Sequence, residues 1–195
     1  MNDQYIKDNL TVIVTIRNRR NTLPRVMNYY KKFPAKVIFL DSTRSTSYIH
    51  ADMASPNEYQ YVPGKQYVQK LYDCLNNIKT KYSVVVCDDD FLAPTGLGQC
   101  IEFLEKNKNY VACRGQELGL FDNFVDYETL DFLVESLDNF ESDSSADRVK
   151  RAWSIFHGAN VHNIMRTEIQ LKVQEFHLKN NQFNAMRIYD KTLRS

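Results

Sequence analysis

Three consecutive carboxylates, Asp88, Asp89 and Asp90, follow the apolar run YSVVVC at 82–87. Adjacent like charges repel, and the end of an apolar strand does nothing to offset that repulsion. A divalent cation would: Mg²⁺ takes one or two carboxylates and completes its shell with waters and phosphate oxygens. In an extended segment alternate side chains share a face, so Asp88 and Asp90 are expected to point together while Asp89 points elsewhere. The competing reading is an acidic turn that leads into a helix near Pro94.

Two other short stretches could join such a site. Arg17, Arg19, Arg20 and Arg25 fall within nine residues just after the run TVIVTI at 11–16. The planar guanidinium can bond two oxygens at once, which suits phosphate, although a solvated basic loop would look the same. Asp41, Ser42 and Thr43 follow AKVIFL. A carboxylate there could accept hydrogen bonds from a base or ribose, but Asp and Ser are also ordinary turn residues. Other phosphate-binding signals are missing. There is no GxxxxGK[ST] loop, and Gly96-Leu97-Gly98 lacks the third glycine of the dinucleotide fingerprint. ATPase and dehydrogenase functions lose their support.

These candidates need a scaffold that brings three chain segments together. TVIVTI (11–16), AKVIFLD (35–41) and YSVVVC (82–87) are the short, β-branched, nearly continuous apolar runs of strands covered on both faces. NYVAC (109–113) and EYQYV (58–62) read as further strands. Between them, NTLPRVMNYYKK carries Thr22 as a cap and Pro24 in a first helical turn. Val68, Leu71, Leu75 and Ile78 make one helical face, and Leu97, Ile101 and Leu104 another. This alternation predicts an α/β fold with a mostly parallel central sheet flanked by helices. Ligands of such sheets bind outside the carboxyl ends of the strands, where the arginines, Asp41 and the three aspartates would sit.

Composition narrows the class. The chain has 195 residues, 43% apolar and 25% charged, which fits one soluble domain over 1–195. A net charge of +1 lacks the basic excess of a general nucleic-acid binder. No apolar run approaches membrane-spanning length and the first residues do not resemble a signal peptide, so a cytoplasmic location is expected. Cys74, Cys87, Cys100 and Cys113 are evenly spaced, yet their flanks share nothing and no CxxC pair exists, so buried free thiols are expected.

Charge is unevenly distributed. Residues 1–114 carry sixteen basic and eleven acidic residues, 115–147 carry ten acidic and no basic ones, and 148–195 carry nine basic against three acidic. In the acidic block Tyr127, Leu130, Leu133, Val134, Leu137 and Phe140 recur at helical spacing, which predicts a helix with a solvated acidic face. The basic block, with Arg166, Lys172, Lys179, Arg187, Lys191 and Arg194, could assist peripheral association with an anionic membrane, or could simply serve solubility. His157 and His162 flank HGANVH and are candidates to reach a metal or diphosphate. Tyr127, Trp153 and Phe156 could stack on a sugar or fill a core.

Taken together, TVIVTIRNR, KVIFLDS, the helix containing Lys70 and YSVVVCDDDF closely resemble the nucleotide-sugar-binding half of GT-A glycosyltransferases, in particular a bacterial family-2-like group. The resemblance covers about residues 10–115 and extends more loosely through GANVHNIMRTEIQ. It implies a GT-A fold with the donor site in 10–115 and a helical acceptor-side segment in 116–195, which ends early compared with the family. It implies that Thr15 and Arg17 touch the nucleotide, with Arg19 beside them, and that Asp41 contacts the base. Asp88, Asp89 and Asp90 resemble the DxD element that holds the donor diphosphate through Mn²⁺ or Mg²⁺, with Asp88 and Asp90 as expected metal ligands and His162, read from its own segment, as the candidate to join them. Lys70 or Lys65 resembles the basic residue of the preceding helix.

The implied reaction is transfer of a sugar from a nucleoside diphosphate sugar to a hydroxyl of a glycan or lipid-linked acceptor, at the inner face of a membrane or in the cytoplasm. Cys87 stands where many relatives have an acid, which leaves open which pair of aspartates would meet the metal. The family's later acidic pair is not evident; Asp122, Asp126 and Asp147 are the candidates for a general base, Asp147 and Asp122 foremost. A non-catalytic GT-A-like binding module, or part of a larger synthase, is the alternative. A nucleotidyltransferase is less well supported, because its glycine-rich loop after the first strand is missing: the first glycine is Gly64.

Overall fold

The computed structural model describes residues 2–19, 21–44, 54–116, 118–121, 131–134, 140–154 and 162–180. A short helix α1 (Asp3–Asn9) leads directly into strand β1 (Leu10–Ile16), followed by α2 (Leu23–Tyr30), β2 (Lys36–Asp41) and β3 (Glu58–Tyr61). Helix α3 (Tyr67–Asn77), β4 (Tyr82–Cys87), α4 (Pro94–Lys106) and β5 (Ala112–Cys113) come next. Strands β6 (Leu118–Phe121) and β7 (Asp131–Val134) precede α5 (Ser145–Ser154), β8 (Ile164–Arg166) and α6 (Thr167–Lys179). The chain divides into two compact units, one built from Met1–Cys113 with His162–Ser195 and the other from Arg114–Val161.

The first unit is the expected α/β layer structure. Its six-stranded sheet has the order β3-β2-β1-β4-β8-β5. The first four are parallel, while β8 runs antiparallel to β4 and β5. In register, Ile16 lies opposite Asp41 and Thr15 opposite Cys87. The carboxyl ends of β1, β2 and β4 are therefore nearly flush.

Every residue of β1 is buried, because alternate side chains enter different cores. Val12, Val14 and Ile16 pack with Leu23, Val26 and Met27 of α2 and Leu97, Ile101 and Leu104 of α4. Ile13 joins Ile38, Leu40 and Val85 against Leu71, Cys74 and Leu75 of α3. Full burial of each such side chain stabilises the fold by about 1.5 to 3 kcal/mol. Two faces thus fix one register, since a one-residue slip of β1 would exchange its two cores.

Several expectations need correction. The expected strand at 109–113 is reduced to Ala112–Cys113. Thr22 precedes α2 but makes no side-chain cap; its hydroxyl donates instead to the Arg19 carbonyl at 3.2 Å. In the second unit, Leu133 and Val134 lie in β7, which pairs antiparallel with β6 (Leu118 opposite Val134, Phe121 opposite Asp131). The helix expected from Tyr127 to Phe140 is therefore interrupted by strand. Cross-strand pairing outweighs helical spacing there, and the aromatic and β-branched content of Phe132 to Val134 is compatible with either state. Tyr127, Leu130 and Leu137 lie outside the described residues.

Candidate functional site

The three aspartates do not continue β4. The strand stops at Cys87, Asp88 and Asp89 form a turn, and the Asp90 amide points back to the Cys87 carbonyl at 3.4 Å. That turn replaces the extended segment on which alternate faces were predicted. It places Asp88 and Asp89 toward the β1 loop and Asp90 toward β8.

Arg19 lies between the first two acids, its Nε 3.7 Å from Asp88 Oδ1 and its Nη2 3.5 Å from Asp89 Oδ2. Those distances indicate charge proximity rather than close hydrogen bonds. Asp88 is only 5% exposed, and its Oδ2 is buried without a hydrogen-bond partner. Burial, with Asp89 next door, raises its pKa, against the opposing pull of Arg19. Asp90 behaves in the opposite way. Its Oδ2 lies 3.0 Å from Nε2 of His162, and this contact is the largest cause of its lowered pKa. His162 stands just before β8, whose pairing with β4 brings it to the loop.

One ligand atom from each of Cys87, Asp90 and His162 lies within 4.8 Å of the others. Carboxylate and imidazole donors fit Mn²⁺, whereas Cys87 is the soft donor, foreign to Mg²⁺; Asp88, turned toward Arg19, is not one of this group. From sequence Cys87 stands as a departure and as one of four expected buried free thiols; Cys74 and Cys100 are buried, but Cys87 and Cys113 are only part-buried. The position of Cys87 at the very end of β4, beside the acids, was the available signal.

Helix α2 holds this loop from behind. Tyr30 is fully buried; its hydroxyl donates to the Asp90 carbonyl and accepts from the Leu92 amide, both at 3.3 Å. The Tyr29 hydroxyl donates to the Leu92 carbonyl at 2.6 Å. The Tyr29 ring also meets Phe91 edge-on, and Arg25 lies over the Phe91 ring at 5.4 Å. Neither tyrosine was singled out from sequence.

The β1 and β2 ends are stitched to each other. Asp41 is 1% exposed and each oxygen already accepts one bond, Oδ1 from the Thr43 amide at 2.8 Å and Oδ2 from the Tyr59 hydroxyl at 2.6 Å. Thr43 Oγ1 in turn accepts from the amide of Asn18, a residue with φ of 60°. This left-handed residue, of a type that tolerates the region, turns the chain between Arg17 and Arg19. Both arginines are exposed.

Lys70 is buried, and its ammonium donates to the carbonyls of Ile16 (3.1 Å) and Leu40 (3.2 Å) and to the Ser42 hydroxyl (3.2 Å). Three donors meet three acceptors, so in this geometry Lys70 clamps the strand ends rather than reaching outward. Burial lowers its pKa to about 8. Lys65 pairs with Asp73 at 2.7 Å. The Thr15 hydroxyl donates to the Val86 carbonyl at 3.1 Å.

The expected catalytic acids all belong to Arg114–Val161, the second unit. Asp147 is exposed in the first turn of α5, in the second unit. Asp122, Asp126, His157 and Phe156 lie outside the described residues, as do the side chain of Trp153 and, in the basic block, Arg187, Lys191 and Arg194. Two members of that block are engaged within the fold: Arg166 bonds carbonyls of α4 and its following turn, and Lys179 pairs with Glu175 at 2.7 Å. Among the described residues no helix is long and apolar enough to cross a membrane.

No protein-family model and no curated protein matches the chain. Among solved structures, the crystal structure of S. aureus TarS 1-349 is similar with a TM-score of 0.47 and 11% identity, covering 82% of this chain. A CMP:2-keto-3-deoxy-manno-octonic acid synthetase complexed with CTP is similar with a TM-score of 0.38 and 9% identity, covering 89% of this chain and 86% of that one. The chain spans about half, 47%, of the TarS structure it matches.

Proposed function

We propose that this chain is a metal-dependent glycosyltransferase of GT-A type, which takes a nucleoside diphosphate sugar and transfers the sugar to a hydroxyl of a glycan or lipid-linked acceptor. The observation that carries this reading is the loop after β4. It holds a buried carboxylate with an unpartnered oxygen, Asp88, two residues from Asp90 and its partner His162. A buried carboxylate raised in pKa and short of a partner is an expensive arrangement that a bound cation would relieve. Its place at the carboxyl ends of parallel strands is where such folds bind ligands.

In this reading Asp90 and His162, joined by Asp88 on its release from Arg19, would hold Mn²⁺ or Mg²⁺, which would supply positive charge to the leaving diphosphate. Arg19 reorients from Asp88 and Asp89 toward phosphate oxygens, with Arg17 beside it. Asp41, steadied by Tyr59 and Thr43, uses its remaining lone pairs toward the nucleoside. Asp147 or Asp122 would accept the proton of the acceptor hydroxyl. A non-catalytic nucleotide-binding module is the second reading, favoured by Lys70, whose three donors are all spent on the strand ends.

Thermal unfolding with UDP, GDP, CMP and TDP compounds, each with and without Mn²⁺, tests the site. A ligand that binds only the folded state must raise its stability. One nucleotide should give a metal-dependent rise that Asp90→Asn abolishes. A rise that persists in Asp90→Asn would sink the assignment. Sugar release from the matching donor then separates the transferase from the module.

A further inference from the structure

A large concavity lies at the other end of the sheet from the aspartates. The amino ends of β1, β2 and β3 open onto a cleft of about 720 Å³, with Thr11, Lys36 and Glu58 on its floor and rim. With β1 seven residues long, at about 3.3 Å per residue, it stands roughly 20 Å from Asp88 to Asp90.

Lys7, Lys31, Lys32, Lys36 and Lys79 all line this cleft, against two carboxylates, Asp3 and Glu58. All five lysines are exposed, and among the described residues none makes an ion pair. Elsewhere on the same unit Lys65, Lys81, Lys106, Lys108 and Lys179 each hold a carboxylate at 2.5 to 2.7 Å. Glu58 is partly occupied, accepting from Gln60 at 2.7 Å. The surface thus neutralises its lysines in most places and leaves five together in one hollow, where low-dielectric walls focus their field.

The lining also defines the ligand. Lysine is a mobile point charge that meets phosphate without demanding one orientation, and five spread around a cleft match several charged oxygens rather than one carboxylate. Phe33, half-buried against the core, is the one aromatic among the described residues of the lining. Among the described residues no exposed ring is there to stack a base. We propose that this cleft is a second, electrostatic site for a polyvalent phosphate anion, whether a soluble polyphosphate or clustered phospholipid headgroups.

Calorimetric titration with tripolyphosphate, in EDTA so that no metal bridges it to the aspartates, is the first arm. Wild-type protein should bind in a salt-sensitive manner. The variant Lys31→Ala/Lys32→Ala/Lys36→Ala should lose about tenfold in affinity. A control with the same charge loss elsewhere, Lys106→Ala/Lys108→Ala/Lys179→Ala, should not. Co-sedimentation with phosphatidylglycerol vesicles, compared with phosphatidylcholine, is the second arm. Tripolyphosphate binding alone assigns a soluble ligand, vesicle binding alone a membrane surface, and binding of both a site for any clustered phosphate. Indifference of the wild type to both, or an equal loss in the control variant, overturns the proposal.

Discussion

Asp88 and Asp90 share one loop and titrate in opposite directions. Asp90, paired with His162, has its pKa lowered; the stability it supplies is complete above the unfolded value of 3.8 and is lost as pH falls through the lower folded value. Asp88 has its pKa raised by burial, so its ionised form costs stability at neutral pH, and that cost disappears on acidification. The two asparagine variants should therefore diverge in metal-free protein at pH 7. Asp90→Asn removes a partly exposed pair worth at most about 1 kcal/mol after solvent screening, lowering Tm by no more than about 2 to 4 °C. Asp88→Asn should leave Tm unchanged or higher, since it removes an unsatisfied buried charge. Calorimetric melts in EDTA compare them, and an equal fall in both would mean that Asp88 is already satisfied without a ligand. The acids themselves were legible in sequence because three consecutive carboxylates after an apolar strand repel one another, although the acidic turn that competes with a metal site is the backbone form they take. The approach of His162 to Asp90 agrees with its place among the expected ligands, whereas the turn at 88–89, which sends Asp88 toward Arg19, does not follow from the strand pattern.

At the scale of elements, α2, α3 and α4 and the parallel strands could be read from periodicity, since each packs one stripe or two faces into a core. β8 could not. Ile164 to Arg166 is three residues long, and it is a strand because β4 and β5 both offer it antiparallel edges. Its last residue reveals how the docking is held. Arg166 Nε donates to the Tyr110 carbonyl at 3.0 Å and Nη2 to the Leu104 carbonyl at 2.8 Å, with its guanidinium 5.8 Å from the Tyr82 ring centre. It thereby places a cation on the carbonyl end of α4, where the helix dipole favours one. Arg166→Met leaves part-buried carbonyls without a donor and should cost about 2 to 4 kcal/mol. Arg166→Lys should restore only part of that, because one ammonium lacks the spread of guanidinium donors that here reaches Tyr110 from Nε and Leu104 from Nη2. Urea denaturation gives the comparison, and a methionine variant with the wild-type midpoint would remove Arg166 from this role. The same side chain had been counted from sequence among dispersed surface charges, where composition alone cannot tell an inward guanidinium from an outward one.

The whole molecule interrupts one sheet with another unit. Cys113 and Ile164 are direct partners in the β5–β8 ladder, so the chain leaves the first unit and re-enters it at neighbouring points, about 5 Å apart between Cα atoms. Arg114–Val161 therefore closes a loop whose ends the sheet already holds together. Shortening such a loop changes the closure entropy only slowly with length. Moreover, the two cores on the faces of β1 draw all their described residues from the first unit. Replacing residues 116–161 with a short Gly/Ser linker, with His162 kept, should leave that unit cooperatively folded. If Asp88, Asp90 and His162 make the metal site on their own, the shortened chain should also keep metal-dependent nucleotide binding while losing transfer to any acceptor that needs Asp122 or Asp147. Circular dichroism melts and nucleotide titration with Mn²⁺ test the two halves of that expectation separately. A shortened chain that folds but no longer binds would place part of the donor site in 116–161, and one that does not fold would mean that the sheet depends on the segment it encloses.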